Sequence, residues 1–226
     1  PITTAPCFSI RKPAATPFSL EDYVAQQALS PTLYGALREA IAAHDNILIA
    51  GGTSSGKTTF TNALLAEPAF EPDRILILED TRELRCAAPN VVQLRTHRHS
   101  ASLQQLVRST LRLRPDRIIV GEVRGAETLD LLKAWNTGHP GGITTLHANS
   151  AHGALKRLEQ LTLEATTRPP HDLIAEAVDV VLFMSRTGGR RRVEEALRVT
   201  SFDGDAYVTE PLTSPHLSLV TQGDTQ

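Results

Sequence analysis

A chain of 226 residues, 41% of them hydrophobic, is long enough for one α/β domain with a sizeable core. Its formal net charge of -2 excludes a global field that draws it to nucleic acid or to an acidic membrane surface, and no apolar run approaches the ~20 residues that span a bilayer. Its two cysteines, Cys7 and Cys86, are too far apart for a C-x-x-C pair and have no zinc-site pattern around them, so a reduced, cytoplasmic compartment is expected.

The chain opens at Pro1 without an initiator Met or a signal-peptide pattern, and residues 1–17 read as a Pro-rich linker following a domain that lies outside this sequence. Ser19-Leu-Glu-Asp22 resembles a capping box with Asp in place of Glu, which predicts a short helix to about Gln27. Leu33, Leu37 and Ile41 recur four apart and predict an amphipathic helix over Pro31–Ala43. Buried strands are expected at Ile47–Ala50, Arg74–Leu78, Arg117–Val120 and Gly142–Leu146, with a short strand at Val91–Leu94. Helices are expected at Phe60–Leu65, Ser102–Leu113, Glu127–Trp135 and Ala151–Glu164. Apolar strands alternating with helices predict a mostly parallel sheet flanked by helices, with ligands at the C-terminal ends of the strands. Val178–Ser185, Arg192–Thr200 and Tyr207–Leu212 are strand-like and joined by Gly-rich turns, so the C-terminal region reads as antiparallel hairpins. The domain spans 18–213, and 214–226, which carries no pattern, is expected to be a disordered tail.

Gly51-Gly52-Thr53-Ser54-Ser55-Gly56-Lys57-Thr58 fits G-x-x-x-x-G-K-S/T. The glycines let backbone N–H groups approach phosphate oxygens, Lys57 carries a cation to the β- and γ-phosphates, and Thr58 offers its hydroxyl to Mg²⁺. Thr59 continues this nucleotide-binding stretch into a helix whose positive end faces the same anion. The loop follows a strand and opens a helix, as that chemistry requires, so ATP and Mg²⁺ are the expected ligands. A phosphate loop also needs carboxylates, and two strand ends supply them. Glu122, in Ile118-Ile119-Val120-Gly121-Glu122-Val123-Arg124-Gly125, is placed to orient or deprotonate water, and Glu79, in Ile77-Leu78-Glu79-Asp80, to hold Mg²⁺ with Thr58, provided the strands are neighbours. Away from a phosphate loop, each reads as a surface residue at a strand end. His139 and His147 flank the strand at Gly142–Leu146, and His147 is placed to contact the γ-phosphate. Arg95-Thr96-His97-Arg98-His99 is a basic cluster that reads first as a solvated loop and second as a nucleic-acid contact.

Four motifs in order, Gly51–Thr58, Glu79-Asp80-Thr81, Arg114–Gly125 and Thr137–Asn149, resemble the ATPases of type II and type IV secretion systems. Ala134-Trp135-Asn136-Thr137-Gly138-His139 and Leu146-His147-Ala148-Asn149 are similar to the VirB11/TrbB branch, which serves conjugative DNA transfer. The resemblance covers about residues 18–200. It implies a RecA-like P-loop domain that hydrolyses ATP in a homohexameric ring, peripheral to the cytoplasmic face of a bacterial inner membrane and partnered with its secretion or conjugation machinery. In its terms Gly51–Thr58 is the Walker A loop, Glu79 and Glu83 belong to the Asp box, and Glu122 is the Walker B glutamate and general base. His139 and His147 form the His box, and Glu83, Arg124 and His139 are candidate phosphate or ring-interface contacts. Catalysis is thus expected from Lys57, Glu122, Glu79 and His147. The sequence departs from the family in Ser54, where the usual pattern has Gly, and in the N-terminal domain, which family members carry before the linker. Gly121 holds the usual Walker B Asp position, a family habit. Other readings are a pilus assembly or retraction motor or a type II secretion ATPase, the latter disfavoured where a tetracysteine insertion is the rule, and a nucleotide-gated scaffold with negligible turnover. Direct nucleic-acid binding is not expected, because charge is near zero and basic and aromatic residues do not interleave.

Overall fold

Alternate strand residues feed two apolar layers, which is the period-two consequence of the β pleat. Ile47, Ile49, Ile75, Ile77, Ile119 and Ile143 enter one core, while Leu48, Ala50, Leu76, Leu78, Ile118 and Val120 enter the other. The computed structural model describes Ala5, Cys7, Phe8 and residues 18–213. The linker read over 1–17, those three residues aside, and the tail read over 214–226 lie outside the described residues.

The first face is covered by three helices. Helix α1 (Leu20–Ala25) starts at the expected box, with Ser19 Oγ accepting from Asp22 N–H and the Asp22 carboxylate accepting from Ser19 N–H. Helix α2 (Pro31–Ala42) is capped by Ser30 with Pro31 in its first turn. Strand β1 (Ile47–Gly51) runs through the phosphate loop into α3 (Lys57–Leu64). A 3₁₀ turn at Pro68–Phe70 leads to β2 (Ile75–Glu79) and β3 (Val91–Arg95). The second face begins with α4 (Leu103–Thr110), opened by a Ser102–Gln105 capping box, then β4 (Arg117–Val120), α5 (Glu127–Asn136), β5 (Ile143–Leu146) and α6 (Ala151–Thr162). Helix α7 (His171–Ala177), absent from the sequence reading, packs on α5 and the antiparallel strands. Its seven residues after Pro169-Pro170 are too few for a visible helical period.

Strands β6 (Val180–Thr187), β7 (Arg190–Phe202) and β8 (Tyr207–Pro211) form the expected antiparallel region. They are not a separate module. Strand β6 pairs in parallel with β1, so one eight-stranded sheet runs β3-β2-β4-β5-β1-β6-β7-β8. The parallel strands make the expected sheet between helical layers. Their order corrects one premise: β4 and β2, which carry Glu122 and Glu79, are not neighbours of β1, because β5 lies between β1 and β4.

Candidate active site

The phosphate loop is shaped by its glycines at two places. A Cβ on Gly51 collides with the Met184 carbonyl oxygen and Ser55 Oγ, so only Gly fits against β6. Gly56 has φ +100° and caps α3 without a side-chain hydrogen bond, leaving the helix's first N–H groups to an anion. Ser54 adopts φ +63°, the left-handed backbone that the departure from Gly at this position requires of it.

Lys57 folds back over this loop. Its Nζ donates to Gly51 O at 2.8 Å and to Gly52 O at 3.2 Å, and lies 3.4 Å from His147 Nδ1. Burial lowers its pKa below the usual lysine range; the nearby Glu122 carboxylate opposes this and Arg124 adds to it. On the other side of the ring, His147 Nε2 is 3.1 Å from Glu122 Oε1, an ion-pair distance without hydrogen-bond alignment. Glu122 Oε1 is therefore a buried acceptor with no hydrogen-bond partner, on a residue that lines the cleft. The other oxygen, Oε2, accepts from Arg124 Nη2 at 2.6 Å, while Arg124 Nη1 reaches Asp80 Oδ2 at 3.3 Å. Strand β5 makes this chain of contacts possible despite separating β4 from β1: Thr145 Oγ1 donates to Gly121 O at 2.8 Å, and Val123 N–H donates to Thr145 O at 3.0 Å.

Glu79 is 5% exposed at the tip of β2, and its Oε1 accepts from the backbone N–H groups of Glu83 (3.0 Å) and Leu84 (2.8 Å). One oxygen thus organises the loop that follows. Together Gly52–Thr59, Glu79–Thr81, Glu83, Leu84, Gly121, Glu122, Arg124, Thr145, His147 and Arg191 line a cleft of about 520 Å³. The structure does not bring His139 there. Its Nδ1 lies 2.9 Å from Pro115 O, at the N-terminal ends of β4 and β5, a strand's length from the phosphate loop. Sheet polarity thus sets His139 away from the phosphate loop of its own chain.

A protein-family profile described as "Type II/IV secretion system protein" matches residues 1–207. The chain belongs to this secretion-system family. It is 49% identical over 212 residues to the conjugal transfer protein TrbB of Rhizobium radiobacter, a match covering 93% of this chain and 65% of that protein. It is 33% identical over 192 residues to the type IV secretion system protein VirB11 of Bartonella quintana, covering 80% of this chain and 51% of that one. Among solved structures it is similar to the VirB11 ATPase of the Brucella suis type IV secretion system in complex with sulphate, with a TM-score of 0.66 and 30% identity over 83% of this chain and 65% of that one. The pilus retraction motor PilT with bound ADP shares the fold, with a TM-score of 0.60 at 21% identity, over 88% of this chain and 53% of that one. The chain spans just under two thirds of the length of the first of these relatives.

In this member of the secretion-system family the cleft also contains a residue the sequence reading missed. Arg191 arrives from the β6–β7 hairpin, 137 positions beyond Ser54, and its Nε donates to Ser54 O at 3.1 Å. No local pattern signals it, because its position follows from β6 pairing with β1. A second cavity of about 540 Å³, lined by Phe18, Tyr23, Gln26, Gln27 and Ala28 among others, shares Thr59 and Arg191 with the first.

Proposed function

We propose that this chain is the motor domain of a TrbB-like ATPase, which hydrolyses Mg²⁺-ATP to drive a type IV secretion or conjugative transfer apparatus. The observation that carries this reading is one continuous set of contacts, Lys57 to His147 to Glu122 to Arg124, at the C-terminal edge of a parallel sheet and directly above a phosphate loop. The phosphates are expected against the N–H groups of Gly52–Thr58, with the nucleoside toward the adjoining cavity past Thr59.

The residues present fit a magnesium ion that takes most of its ligands from phosphate and water. Thr58 would supply a hydroxyl and Glu79 a carboxylate, and Glu122 adds a second carboxylate to the same cleft. Bound with the nucleotide, the ion would neutralise phosphate charge. Glu122 then acts as the general base, its carboxylate held at Oε2 by Arg124 and bordered at Oε1 by His147. His147 stands between the base and Lys57, within reach of the γ-phosphate, and is suited to report its loss. Membership of the family, and the ATPase named in its structural relative, support the reaction class. A homohexameric ring, attachment at the cytoplasmic face of an inner membrane and the secretion machinery as partner belong to the same proposal.

The test is ATP turnover with Mg²⁺ by the unmutated chain, Lys57→Ala and Glu122→Gln. Lys57→Ala is expected to lose nucleotide binding. Glu122→Gln should bind normally and turn over about 10²–10⁴-fold more slowly. Binding by the unmutated chain with turnover no faster than Glu122→Gln would instead favour a nucleotide-gated scaffold.

A further inference from the structure

Ser54 holds a backbone conformation that L-residues avoid, because their Cβ then crowds the neighbouring carbonyl. One side chain from a distant element is fastened to that residue. Arg191 donates from Nε to the Ser54 carbonyl at 3.1 Å, and its stem lies along the loop: a Cβ built on Gly56 meets Arg191 Cδ at 2.8 Å. The Arg191 side chain thus spans the two left-handed residues of the loop, its Nε on Ser54 and its stem beside Gly56, at the junction of the two cavities.

We propose that Arg191 is a positioning residue for nucleotide binding, clamping the phosphate loop in its open cradle and offsetting the left-handed backbone of Ser54. The β6–β7 hairpin thereby becomes part of the nucleotide site. This rests on the nucleotide-binding reading above, but the clamp itself acts on the loop whether or not a phosphate is present. Its function is distinct from that of an arginine that contacts the γ-phosphate. A clamp alters the loop's readiness for any nucleotide, whereas a γ-phosphate contact distinguishes ATP from ADP.

Two measurements separate these possibilities. Amide hydrogen exchange without added nucleotide reads the loop directly. Arg191→Ala should speed exchange at 52–56 about fivefold, with the rest of the sheet unchanged as a control for folding. Equilibrium binding of Mg-ADP and of a non-hydrolysable Mg-ATP analogue should weaken equally, again about fivefold, in Arg191→Ala. Glycine reaches positive φ freely, so in the Ser54→Gly background the same Arg191→Ala change should cost less than about twofold. An unchanged loop exchange rate, a loss confined to the ATP analogue, or an equal loss in both Ser54 backgrounds would each overturn the clamp. If the unmutated chain binds neither nucleotide while exchange still responds to Arg191→Ala, the clamp stands and the nucleotide reading is what fails.

Discussion

Burial holds the Glu79 carboxyl above the usual carboxylate range, and the N–H groups of Glu83 and Leu84 pull it back. A folded pKa above the unfolded one means that the native state binds the extra proton, so this residue's contribution to stability declines as pH rises from the ordinary Glu value through its raised one. Glu79→Gln keeps an oxygen for both N–H groups and removes the charge. It is expected to fold at neutral pH with stability equal or greater, and with the acidic end of its pH–stability curve flattened in urea titrations. Glu79→Ala strands the two donors and should cost about 1–3 kcal/mol in the same measurement. Lys57 shows the opposite sign. Burial depresses its ammonium pKa, and a bound phosphate's negative charge favours the protonated form. Nucleotide affinity should therefore fall as pH rises through the lowered Lys57 value, below the ordinary lysine range, by titration of Kd against pH. Arg117, at the start of β4, is 1% exposed and ties Asp73, Ile41 O and Ala69 O together with its face over Phe70. Arg117→Ala leaves the Asp73 carboxylate with only His44, 3.3 Å away, as an ion-pair contact, and is expected to cost about 3 kcal/mol in equilibrium denaturation.

At the scale of elements, the phosphate loop and the β6–β7 turn were both legible, for the same reason. Each depends on chemistry that only certain residues supply. Gly188 and Gly189 have φ +60° and +83°, as a two-residue primed turn needs, and the hairpin closes at Thr187 and Arg190. Gly188→Asn should leave stability nearly unchanged, since Asn tolerates this backbone. Gly189→Val should cost about 1–2 kcal/mol in thermal unfolding and, through Arg191, loosen the phosphate loop. The helices of the second face were predicted within a few residues, because capping boxes and apolar periods are local. Helix α7 was not, since its stability comes from packing on α5 and β7 and not from its own seven residues.

Across the whole molecule, one sheet separates two apolar layers, and both layers share the strands β1, β2 and β4. Because these central strands serve both layers, the described domain should unfold as a unit. Trp135, the chain's single tryptophan, is buried in the second layer. Its fluorescence and the far-UV circular dichroism are expected to give one denaturation midpoint. With a formal net charge of -2, double-stranded DNA binding should be weak, without the steep salt dependence that counterion release produces. No helix among the described residues is long and apolar enough to cross a membrane.

The sequence by itself determined the phosphate loop, the carboxylates at strand tips, the fold class and the family, because each follows from residue type at short spacing. Strand order was decided only by the tertiary structure. It set β5 between β1 and β4, so that Glu122 meets Lys57 through His147, and it sent His139 to the opposite edge of the sheet. It also brought Arg191 onto Ser54 by pairing β6 with β1. The physical reason is that strand neighbours are chosen by long-range packing, in which apolar strands of similar length are nearly interchangeable when read one at a time.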